Sequence, residues 1–182
     1  MKKNVIVTGL LCGILLFIWM IISNAILPFR SSIIMKSFPE QKEIHALLKD
    51  KINETGIYNI PYGREEIFSD FPNYGDEPIF QIVYTGTTHN TAGSSLPIQV
   101  LLVFVVPLLA AWLLSESSDK ILSSFMLRFL FVFVIGLLIA IFNYLNNVFY
   151  PTPLIIYTFI HTLLSWALAG LFIALRIKPN KS

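Results

Sequence analysis

Four long apolar blocks dominate the chain: Val5–Phe29, Leu96–Leu114, Ile121–Leu145 and Leu154–Leu175, with a single charge among them, Arg128. A bilayer hydrocarbon core of about 30 Å needs roughly 20 apolar residues per helix, and each block comes close to that or exceeds it. The pattern predicts an all-α membrane protein of four transmembrane helices with a small α+β insertion between the first two. The divisions read as a first span at 1–29, an extracytoplasmic subdomain and linker at 30–95, and a second span at 96–114. A cytoplasmic turn at 115–120, a third span at 121–149, an outer turn at 150–153, a fourth span at 154–176 and a tail at 177–182 complete the chain. The last two spans form a hairpin through Tyr150-Pro151-Thr152-Pro153, and the rest is organised around it.

The insertion has a different rhythm. Ser37-Phe38-Pro39-Glu40 predicts a helix start with Ser37 as cap, Ile44, Leu47, Leu48 and Ile52 follow at helical spacing, and Gly56 is a natural stop. Residues 57–60 and 78–85 are short β-branched and aromatic runs, which predict a hairpin. The candidate core (Ile44, Leu47, Leu48, Ile52, Ile57, Phe80 and Ile82) is too small for an independent fold, so the segment is expected to rest on the bundle.

Composition sharpens the class. Hydrophobic residues make up 55% of the chain and charged residues 13%, outside the soluble globular range. One cysteine, Cys12, excludes an internal disulfide and a cysteine zinc site. The first span follows Met1-Lys2-Lys3 and is longer than a signal-peptide core, so it reads as an uncleaved signal anchor. Lys2, Lys3, Lys120, Arg128, Arg176, Lys178 and Lys181 fall on one side of a four-span arrangement. By the positive-inside rule that side is cytoplasmic, with both termini. The third span is too long for its membrane, since Ile121 to Tyr150 covers about 44 Å, and Arg128 is expected to snorkel to the cytoplasmic headgroups.

Polar residues inside the spans are few and patterned. Gly9 and Gly13 form a small-residue packing pair on the first span. Gly136, Ala140, Asn143 and Asn147 line one face of the third span; Thr158, His161, Thr162, Ser165 and Ala169 line one face of the fourth. Side-chain lean brings Asn143 and His161 toward one depth, where Asn24 can join them. This set is the candidate intramembrane polar cluster, because an ionisable residue within a span is a functional-site hypothesis by default. The competing reading is a neutral imidazole bonded across helices as structural glue.

The termini of these elements resemble small, uncharacterised bacterial four-span inner-membrane proteins. The similarity lies in Trp19…Ser23…Leu27-Pro28-Phe29, in Gly56-Ile57-Tyr58…Pro61 and in Trp166-Ala167-Leu168-Ala169-Gly170. It implies four spans in a bacterial inner membrane and carries no activity. No catalytic, metal or nucleotide motif is present. No catalytic residue, cofactor, metal or nucleic-acid partner is therefore expected.

The function this supports is a non-enzymatic inner-membrane protein that binds membrane lipid or a partner membrane protein through its outer subdomain and outer-leaflet polar face. The alternative is a subunit of a small oligomeric transporter or channel. A third reading is an intramembrane enzyme with His161 as acid or base, for which the sequence offers Thr158, Thr162 and Ser165 as nucleophiles.

The charge asymmetry generates a test of orientation. With Cys12→Ser as background, a cysteine at Ser69 is expected to react with an impermeant thiol reagent in intact cells while one at Ser117 stays unlabelled. Equal labelling, or labelling of position 117 alone, would overturn this topology.

Overall fold

The structure, a computed structural model, describes residues 3–28, 32–33, 36–61, 76, 78–86, 96–146 and 150–179. In chain order the elements are α1 (Lys3–Ile21), a π-helical turn (Ile22–Ile26), α2 (Gln41–Lys51), β1 (Gly56–Ile60), β2 (Phe80–Tyr84), α3 (Leu96–Ser115), α4 (Asp119–Ser123), α5 (Phe125–Asn146) and α6 (Thr152–Arg176). Two compact units result. One joins residues 1–36 to 96–182, and the other comprises residues 37–95.

Four helices of the first unit are long and apolar enough to cross a membrane: α1 with its π-helical turn, α3, α5 and α6. Only 22–28% of each is buried inside the protein. Ile6, Leu10, Ile14 and Ile18 run exposed down one side of α1, and Ile98, Leu101, Leu102, Leu109 and Leu113 do the same on α3. Apolar surface of that extent requires an apolar surrounding.

Close approach sets the pairing. α1 lies along α3, with Gly9 against Leu108 and Gly13 against Phe104. One residue number rises by four as its partner falls by four, which makes the two helices antiparallel. A Cβ on Gly9 would come within 2.5 Å of the Leu108 Cα, so only glycine lets the backbones meet here. α5 and α6 pair in the same sense through Gly136 against Trp166 and Phe129 against Gly170. Contacts between α1 and α6 join the two pairs. Among the described residues the core is one cluster, including Val5, Cys12, Ala110, Leu114, Val132, Ala169, Ile173 and Ile177. These positions gather at the end of the bundle where α1 begins and α6 finishes. Ala140, Ala169 and all four of these glycines and their partners lie in helix interfaces or the core.

The third apolar block departs from the expected continuous helix. Ser124 is extended (φ −109°, ψ 129°), which separates the short α4 from α5. The local cause is a serine pair: the Ser123 hydroxyl donates to Lys120 O at 2.9 Å, and serine competes in this way with helix continuation. The break leaves α5 with 22 residues, about 33 Å, close to one bilayer thickness. It also changes what Arg128 does. Rather than snorkelling outward, Arg128 is 6% exposed. Its Nε donates to Ala174 O at 2.9 Å and its terminal guanidinium nitrogen to Leu122 O. Both acceptors sit in the last turns of their helices, where carbonyls lack intrahelical partners and carry the negative end of the helix dipole. One cation thus caps α4 and α6 together. In α3 the helix runs through Pro107, which is buried.

The second unit contains α2 and an antiparallel β1–β2 ladder that pairs Ile57 with Val83, Tyr58 with Ile82 and Ile60 with Phe80. The helix begins later than Ser37 suggested: Glu40 occupies the cap without a side-chain bond, and residues 39–40 form a turn. It also ends at Lys51, because Ile52 is extended, and Gly56 opens β1 instead of stopping a helix. Of the expected core, Ile44, Leu47, Ile57 and Phe80 are exposed, so these side chains do not form a sealed interior.

The glycine contacts predict unequal costs. An added methyl at Gly136 would overlap Trp166 Cβ, which moves only with the α6 backbone, whereas at Gly170 it would meet Phe129 Cδ2 at 3.2 Å and Phe129 O at 3.3 Å, contacts relieved by a shift of a few tenths of an ångström. Gly136→Ala is expected to cost about 1–3 kcal/mol, as overpacking does, and Gly170→Ala clearly less. Unfolding by sodium dodecyl sulfate in mixed micelles measures both, and equal losses would contradict this packing.

Candidate functional site

The two helices that join the bundle's halves carry the most concentrated polar chemistry within the spans. Trp19 and Ser23 are one turn apart on α1 and its π-helical extension, and His161 and Ser165 are one turn apart on α6. Ser23 Oγ and His161 Nε2 are 2.8 Å apart, and Trp19 Nε1 donates to Ser165 Oγ at 2.9 Å. The pairs 19–165 and 23–161 step in opposite directions, so two polar bonds pin an antiparallel register. Tyr157 adds a third step by donating from its hydroxyl to Ser23 O at 3.4 Å.

The imidazole is held on two sides. Trp19 stacks on it with ring centroids 5.9 Å apart and planes 17° from parallel, and Tyr157 sits 5.8 Å away at 32°. Ser165 donates its own proton to His161 O at 2.7 Å, which leaves its oxygen as acceptor for Trp19. Ser23 is 3% exposed. Its hydroxyl donates to Met20 O at 3.3 Å or, with the imidazole protonated on Nδ1, to His161 Nε2 at 2.8 Å. Asn24 stands beside it, with Nδ2 donating to Met20 O at 2.9 Å and lying 3.4 Å from Ser23 Oγ.

Above this cluster the two helices part to form a groove of about 430 Å³. Leu27, Ile33, Ile156, Ile160 and Leu164 give it apolar walls, while Ser23, His161, Tyr157 and Trp19 contribute the polar edge. That volume lies within the roughly 300–1,000 Å³ of small-molecule sites, which are likewise mostly apolar with a few placed polar groups. Among the described residues no group of three or more His, Cys, Asp or Glu is placed to hold a metal ion.

The polar stripe read from the sequence on α6 is divided by the tertiary structure. Successive helix residues turn by about 100°, so Thr162 points about 100° away from His161. His161 and Ser165 turn to α1. Thr158 and Thr162 turn to α5, where they line a crevice with Ala140 and Asn143 of about 10 Å³, no more than one water needs. Their hydroxyls donate back along α6, Thr162 to Thr158 O at 2.8 Å and Thr158 to Leu154 O. Among the described contacts, Asn143 lines this crevice and His161 bonds to Ser23. Asn24 does join the histidine's neighbourhood, beside Ser23. Asn147 lies outside the described residues.

Trp19, Ser23 and Tyr157 are the members that the candidate cluster omitted. Their signal was present: Trp19 and Ser23 are spaced by four, as are Tyr157 and His161. A tryptophan or tyrosine near a span end reads first as an interfacial anchor, however, and a small serine reads as helix packing.

If the 2.8 Å bond carries helix pairing, Ser23→Ala and His161→Leu are expected to be non-additive, because either change breaks the same contact. A coupling of about 0.6 kcal/mol, up to about 1.7, is the scale for polar bonds between membrane helices. Additive losses in a bicelle unfolding assay would place the stabilisation elsewhere.

Comparison with known protein families, curated proteins and solved structures finds no match to this chain.

Proposed function

We propose that this chain is a four-span protein of the bacterial inner membrane, with both termini cytoplasmic, and that it binds an amphiphilic lipid through the groove between α1 and α6. The observation that carries the reading is the groove itself, which combines apolar walls with a polar pair at Ser23 and His161. Its place in the bundle supports a lipid occupant. His161 is the tenth residue of the 25 in α6, about 14 Å from the helix start, and that start is the outer end in the proposed topology. The polar pair then lies in the outer half of the hydrocarbon layer, beside the acyl chains of outer-leaflet lipids. Walls of leucine and isoleucine suit an acyl chain, and a bonded serine and histidine suit an ester or hydroxyl carried just above it.

Photo-crosslinking tests this directly. With the full-length protein in nanodiscs containing a diazirine-bearing phospholipid, adducts are expected to concentrate on the peptide spanning Ile156–Leu164. Ile160→Trp, which fills the groove, is expected to reduce capture there severalfold. Adducts spread evenly over exposed positions such as Leu101 and Leu138 would indicate ordinary annular lipid and overturn the reading.

A further inference from the structure

We infer that Ser23 is an acyl-accepting nucleophile with His161 as its general base, so that the groove is a site of ester cleavage as well as of lipid binding. The inference rests on the lipid reading above and extends it to chemistry. Four independent features of the site converge on it.

The first is distance. A hydroxyl oxygen 2.8 Å from an imidazole nitrogen is within the reach that activates serine in hydrolytic enzymes. The second is location: Ser23 and His161 both border the groove, with the Ser23 hydroxyl at its buried edge. The third is restraint of the base. Trp19 stacks on the ring and is itself bonded to Ser165, and Tyr157 lies 5.8 Å away, so two aromatic rings restrain the imidazole. The fourth is backbone. Ser23 sits in a five-residue π-helical turn that Leu27 N closes on Ile22 O at 3.0 Å, and π-turns within helices occur frequently at functional sites. Asn24 Nδ2, bonded to Met20 O at 2.9 Å and 3.4 Å from Ser23 Oγ, fixes the turn around the serine.

The reaction balances with a long-chain ester and water. Ser23 Oγ attacks the ester carbonyl carbon as its proton passes to His161 Nε2. The bond to the alcohol oxygen then breaks, the alcohol leaves with the proton from the imidazolium, and the acyl group stays on Ser23. Water loses a proton to His161 and attacks the acyl carbon; the carboxylic acid departs and Ser23 regains its proton. The spans themselves hold no carboxylate.

A fluorophosphonate bearing a long alkyl chain tests this on the full-length protein in nanodiscs. The expected result is a covalent adduct located at Ser23 by peptide mass analysis, abolished in Ser23→Ala. His161→Gln is expected to slow labelling by about 100-fold or more, the lower range for a general base, although glutamine can still hydrogen-bond to Ser23. A purely structural bond would be preserved by glutamine and would leave the labelling rate unchanged. Labelling of Ser23 that is independent of His161, or no adduct in the unaltered protein, overturns the inference. In the second case, continued capture of the diazirine phospholipid at Ile156–Leu164 leaves the lipid reading standing, and loss of that capture removes both.

Discussion

The bond between Ser23 and His161 is the contact that fixes α1 against α6 in the half of this bundle where α6 begins. The sealed core lies toward the opposite end, where alanine, leucine and isoleucine fill the space between helices. Toward the loops, α1 and α6 keep their registry through a short ladder of polar side chains. Trp19–Ser165 forms one rung and Ser23–His161 the next, with Tyr157 reaching Ser23 O beyond them. Two rungs one turn apart define direction and register together, which a single bond cannot do. In an apolar surrounding this matters more than in water, because no hydrophobic force drives helices together and a mispaired polar group has no solvent to fall back on.

The other end of the bundle meets the same constraint by different means. Gly9, Gly13 and Gly136 remove side-chain bulk so that dispersion contacts can form between backbones. Arg128 brings a charge into the packed region and is accommodated because it meets carbonyls that would otherwise lack partners. The break at Ser124 makes this possible. It turns the end of α4 toward the guanidinium and leaves α5 about one bilayer long. The contrast between the two ends is functional in the proposed reading. A well-packed terminal half holds the scaffold, while the outer half leaves a groove whose polar edge is already positioned by the register.

Much of the architecture was legible in the residues. The four blocks with one charge among them required helices of membrane-crossing length, since length and composition alone decide that property. The short strands were legible too: 57–60 and 78–85 hold all of the β1–β2 ladder but Gly56, because β-branched and aromatic runs bounded by Gly and Pro favour strands. Less was legible where two local preferences compete. α2 starts at Gln41 rather than after Ser37, with Glu40 at an uncapped start, and the interruption at Ser124 within an apolar run goes with the Ser123 hydroxyl bonding back to Lys120 O.

The candidate site was the part that only the tertiary structure could decide. A helical wheel shows that Thr158, His161, Thr162 and Ser165 lie on one side of α6, yet it cannot say that two neighbours share that side. Once α1 and α5 both pack there, His161 and Ser165 belong to one interface and Thr158 and Thr162 to another. Likewise Arg128 could be placed near a helix end from sequence, but its acceptors come from residues 6 and 46 positions away. Sequence by itself determined that this chain is built from four apolar helices, because hydrophobicity and length are properties of each segment alone. Which polar atoms meet is a property of pairs. Only the packing of α1 against α6 brought Ser23 to His161, across 138 residues of chain.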